Sequence, residues 1–64
     1  MSKISENLKS LRIASNLSQK DLAKLLNVRF KTISHWESGY SEPSLDMLKA
    51  LKNVLQVTYD DLLE

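Results

Sequence analysis

The 64 residues carry a net charge of +1 and no cysteine, so disulfides and thiolate metal sites are excluded, as suits a reducing cytoplasm. A chain this short folds as one domain, residues 1–64, burying about 60% of the surface its unfolded form exposes. No apolar run approaches the ~18–20 residues of a membrane span, and the amino terminus, MSKISENLKS, lacks the apolar stretch of a signal peptide.

Apolar residues recur at helical spacing along the whole chain, and no alternating stretch is long enough for a strand. The first helix is predicted from Ser2–Ser5 to Ser15, with Ile4, Leu8 and Leu11 on one stripe. Asn16, which tolerates the left-handed conformation, ends it. Ser18-Gln19-Lys20-Asp21 then forms a partial capping box for a second helix, whose buried face is Leu22, Ala23, Leu25 and Leu26. Asn27 is the break.

A third helix follows within two or three residues, with Val28, Ile33 and Trp36 inward and Gly39 as its carboxy-terminal cap. Pro43 holds Glu42 extended in the next loop. Ser44 caps a fourth helix, Asp46 complements its dipole, and Leu45, Leu48, Leu51 and Val54 or Leu55 are its buried residues. Thr58 starts a final short helix that uses Leu62 and Leu63. The expectation is a compact all-α protein of five short helices.

Charge is distributed unevenly. Residues 1–31 hold seven cations against Glu6 and Asp21, a balance of +5, whereas residues 32–64 sum to −4. Such asymmetry turns one face toward a polyanion. Two short helices joined by a tight turn, at about residues 18–37, also match a helix-turn-helix, whose second helix fits the major groove of B-DNA. Spacing alone is shared with any helical hairpin.

The residue pattern is more specific. Leu17-Ser18-Gln19, Leu22-Ala23, Leu26-Asn27-Val28, Thr32-Ile33-Ser34, Trp36-Glu37-Ser38-Gly39, Pro43-Ser44, Leu48, Leu55, Val57 and Leu62-Leu63 stand in one register. Over roughly residues 5–63 this closely resembles the Cro/C1-type (XRE) helix-turn-helix family of phage and bacterial repressors. The resemblance implies a five-helix, lambda-repressor-like domain that binds double-stranded operator DNA, usually as a two-fold homodimer. It implies no cofactor, no small-molecule ligand and no catalysis.

Carried over residue by residue, the resemblance makes Gln19 a phosphate anchor at the start of the second helix. It makes Phe30, Lys31 and His35 the base readers, with Arg29, Thr32 and Ser34 beside them. Ser38 falls at a phosphate-contacting position, where the hydroxyl of Tyr40 can add to it. Arg12 and Glu37 match a charge pair between the first and third helices.

Three departures stand out. Asn27 replaces the usual turn glycine, which its tolerance of the left-handed region permits. Arg29 replaces a small cap residue, a poor fit to the positive end of a helix unless a phosphate sits there. Phe30 replaces a polar reader, so it can only touch a thymine methyl or stack. The alternatives for Phe30 are folding back onto its own domain and joining a dimer contact.

Other assignments have plainer alternatives. Trp36 is expected in the core, and Lys9, Lys20 and Lys24 on a solvated face. His35 could be merely exposed. The dimer contact is expected in the carboxy-terminal half, at the fifth helix, with Tyr59, Leu62 or Leu63 exposed. A protein-interaction module of the same fold, antitoxin or coactivator-like, is the alternative to a DNA-binding repressor, and it would show apolar patches where the repressor shows cations. One histidine and no glycine-rich phosphate loop leave little for an enzyme.

Overall fold

A computed structural model describes residues 3–64, in which five helices succeed one another with no strand. They are α1 (Lys3–Ala14), α2 (Gln19–Leu26), α3 (Phe30–Ser38), α4 (Leu45–Leu55) and α5 (Tyr59–Leu63). The expected start of α1 at Ser2 lies outside the described residues. α1 packs on α3 and α5, α2 on α3 and α4, and α4 on α5. Leu8, Leu22, Ile33, Leu51 and Leu62 meet in the centre, fully buried, one from each helix. Trp36 lies among them, in the core as expected.

Local chemistry explains where each helix starts. Ser18 accepts a hydrogen bond from the Asp21 amide at 2.9 Å, and the Asp21 carboxylate accepts one from the Ser18 amide at 3.0 Å. The capping box is therefore complete, although aspartate replaces the longer acid usual at its last position. Thr58 and Asp61 repeat it at α5 with bonds of 3.0 and 2.9 Å. Ser44 caps α4 through the Met47 amide.

The helices end by left-handed residues: Asn16 after α1, Asn27 after α2, Gly39 after α3 and Gln56 after α4. Three of these stops agree with the sequence reading. Gln56, at φ 56°, was not expected, since nothing in glutamine favours that region.

The structure corrects three apolar assignments. Leu25 is 57% exposed because it lies about 60° beyond Leu22, on the side away from Leu26 and Ala23. Leu45, the first residue of α4, is 84% exposed, since the buried face of that helix begins only at Leu48. On α5, Leu62 is fully buried and Leu63 exposed, so Leu62 drops out of any dimer surface. Its carbonyl accepts a 3.0 Å bond from the Asn7 side chain, which ties α5 to α1. Ser5, within the span where α1 was expected to begin, is buried in its first turn; an added Cβ on Gly39 would stand 3.8 Å from its hydroxyl oxygen. A small side chain there lets α1 approach the end of α3.

Candidate nucleic-acid interface

The site is built on the turn between α2 and α3. Asn27 adopts φ 58° and ψ 44°, and its amide closes back on the carbonyls of Ala23 and Lys24. The Val28 amide bonds the Ala23 carbonyl at 3.0 Å. Three residues after Asn27, at Phe30, the chain is helical again.

Arg29 occupies the N-cap of α3 in extended conformation, with no side-chain cap bond. The first amides of α3 therefore keep hydrogen-bonding capacity for an outside acceptor. A cation at that end is disfavoured by the helix dipole and becomes favourable when an anion joins it.

Helical periodicity divides α3 into two faces. Ile33 and Trp36 are buried, three residues apart. Arg29, Phe30 and Lys31 are exposed, and Thr32, Ser34 and His35 are half-buried at the margin. Phe30 is 47% exposed, which removes the reading that it folds into its own core. Its ring lies 6.0 Å from the Lys20 ammonium of α2, a marginal cation–π distance.

Beyond the helix, Ser38 donates its hydroxyl to the His35 carbonyl at 3.2 Å and accepts from the Tyr40 amide at 3.4 Å. The Ser41 amide also bonds that carbonyl, at 3.3 Å. These bonds fold the segment after α3 back on its last turn. Tyr40 thereby sits beside His35, ring centres 4.7 Å apart and tilted by 48°, while remaining 80% exposed. The sequence reading had Tyr40 near Ser38 but missed this ring pair, which depends on the left-handed turn at Gly39.

A buried network sets the angle of α3. Arg12 of α1 grips Glu37 through Nε at 2.6 Å and Nη2 at 3.1 Å, and its Nη1 donates to the Leu17 carbonyl at 2.7 Å. The two side chains are only 11% and 4% exposed. Gln19 of α2 donates from Nε2 to the same carboxylate at 3.1 Å. One carboxylate thus joins three helices. The expected Arg12–Glu37 pair is present, whereas the tie to Gln19 was not foreseen. It leaves Gln19 a second amide hydrogen for a partner outside.

Nothing else in the described residues suggests different chemistry. No cluster of three metal-ligating side chains occurs among them. No described helix is long and apolar enough to cross a membrane.

Residues 8–62 match the helix-turn-helix family. The chain is 43% identical over 58 residues to the HTH-type transcriptional activator BcrR of Enterococcus faecalis, covering 91% of this chain and 28% of that protein. Against the HTH-type transcriptional regulator AnsR of Bacillus subtilis it is 38% identical over 58 residues, 91% of this chain and 50% of that one. A more distant match, 29% over 59 residues, is to the antitoxin PezA of Streptococcus pneumoniae, with 92% and 37% covered. The chain thus spans about half or less of these relatives' length. The family is one of DNA-binding regulators rather than enzymes, and the match extends from α1 to α5, so both the turn and the helices that support it are included. This chain belongs to the Cro/C1-type helix-turn-helix family of transcriptional regulators.

Proposed function

We propose that this protein binds a pseudo-palindromic operator in double-stranded DNA and regulates transcription there, chiefly as a repressor that occludes the site. The observation that carries this reading is the division of α3. Ile33, Trp36 and Glu37 are consumed by the fold, while Arg29, Phe30 and Lys31 are exposed and Ser34 and His35 lie half-buried at the margin. Lys31 reads guanine O6 and N7, and Phe30 lies against a thymine methyl. Thr32, Ser34 and His35 line the helix margin. Gln19, through its second amide hydrogen, and the Tyr40 hydroxyl anchor phosphates at either end of the motif, and Ser38 joins them when its hydroxyl turns from the His35 carbonyl to the phosphate; these contacts fix register without reading sequence.

Two copies related by a two-fold axis would place their recognition helices about 34 Å apart, one turn of DNA. Tyr59 and Leu63, both exposed on α5, are the residues for that contact. The Enterococcus relative is named an activator, and on the present reading the direction of regulation would depend on where the operator lies.

A second reading, a module whose main partner is a protein, is favoured by the antitoxin match. Titration of duplex fragments at several salt concentrations separates the two. Operator binding predicts tight association with one duplex and a steep salt slope, close to one unit per phosphate contact. Equal, weak binding to every duplex would reject the operator reading.

A further inference from the structure

The surface between α2 and the start of α3 is concave. Lys20, Ala23 and Lys24 of α2, Asn27 and Val28 of the turn, and Phe30 of α3 enclose an open groove of about 430 Å³. The floor is apolar: Ala23 is buried, Val28 half-buried, and Phe30 forms one wall. The rim is cationic. Lys20 and Lys24 lie one helical turn apart, on the same side of α2. The one ion pair among the described residues is Arg12–Glu37, so neither lysine is held by a carboxylate. The Asp21 carboxylate, the acidic group whose titration Lys24 influences, is occupied by the Ser18 amide.

We propose that this groove docks an acidic segment of another protein. A large apolar side chain of that segment packs against Ala23, Val28 and Phe30, and its carboxylates pair with Lys20 and Lys24. Charge complementarity selects this occupant. An uncharged segment would cover the apolar floor but desolvate two ammonium groups without return, and a basic one would be repelled. Apolar burial at the centre with charges at the rim is the ordinary anatomy of a protein contact.

The consequence, though not the docking itself, rests on the DNA-binding reading. Phe30 opens the recognition helix, so an occupied groove blocks the end of α3 that would enter the major groove. The acidic segment and the operator then compete, and the partner acts as a release signal.

The test uses the 15N-labelled protein and a synthetic peptide with one tryptophan flanked by four glutamates. Amide shifts are expected to cluster at residues 20–31, with the largest at Lys20, Lys24 and Phe30. The peptide with glutamine in place of glutamate is expected to lose most of its binding. Lys24→Glu, an exposed change outside the residues assigned to DNA, should weaken the peptide by about fivefold. Adding operator duplex should displace the peptide. Shifts spread evenly over all basic residues, or indifference to Lys24→Glu, would overturn the proposal. So would the same shifts appearing with protein concentration alone, which would mean that a second copy is the occupant. Peptide binding in a protein that prefers no duplex would leave the docking site standing and reject the operator reading.

Discussion

Replacing Arg12 by methionine removes a cation from one of the most enclosed polar sites in the molecule. Glu37, 4% exposed, would keep only the single bond from Gln19 at 3.1 Å and lose the two from Arg12. An uncompensated buried charge of this kind costs about 3–5 kcal/mol, most of what a core of this size supplies, roughly 3–5 kcal/mol. The single variant is therefore expected at the edge of unfolding at 25 °C. Replacing both partners, Arg12→Met with Glu37→Leu, strands neither charge and should recover most of the loss, because apolar substitution of a buried pair is often neutral or better. Urea denaturation followed by far-UV circular dichroism, on the wild type, both single variants and the double, gives the coupling directly. Salt should change it little, since a buried pair is poorly screened. A loss below about 1 kcal/mol in Arg12→Met, the figure for an exposed pair, or simple additivity in the double variant would refute the idea of a buried junction.

Gln56→Gly should raise stability by roughly 0.5–1 kcal/mol by relieving a left-handed residue at φ 56°, read as a higher urea midpoint. Gly39→Ala should lower it by about 1 kcal/mol through the backbone alone, because the added carbon meets the Ser5 hydroxyl oxygen only at an ordinary 3.8 Å. The Ser18 bonds hold the Asp21 carboxyl below its usual range. Its contribution is therefore full above about pH 4 and lost as pH falls through the depressed folded value; Asp21→Asn should remove that dependence in an acid titration of helicity. On DNA, Lys31→Ala is expected to relax sequence preference while Gln19→Ala weakens all duplexes alike, and equal loss of specificity in both, measured by competition binding, would reverse the reader and anchor roles.

Much of this architecture was readable because short polar residues mark helix ends by local chemistry. Ser18, Ser44 and Thr58 cap, and Asn16, Asn27 and Gly39 stop, at the positions where their side chains or conformational freedom predict. Apolar residues were less legible. Leu25 and Leu45 look like core to any hydropathy scale, and only the rotation of each helix against its neighbours decides that they face water. Gln56 was invisible for the opposite reason: tertiary packing of α4 against α5 overrides its preference. At the candidate interface the identity of the exposed positions was legible from the third helix alone. The contacts of Gln19 with Glu37, and of Tyr40 with His35, were not, because they join residues brought together by two different turns.

The two-sided character of α3 has a consequence for how such a protein can change. Packing fixes Ile33 and Trp36, and the junction with α1 and α2 fixes Glu37, while the positions between them bear little of the fold's stability. A library randomised at Arg29, Phe30, Lys31, Ser34 and His35 should therefore remain largely folded and, if these residues read DNA as proposed, its members should differ in the duplex they prefer. On the proposed reading, specificity would be an exchangeable part mounted on a fixed frame, so new regulators could arise from it without first passing through unfolded intermediates.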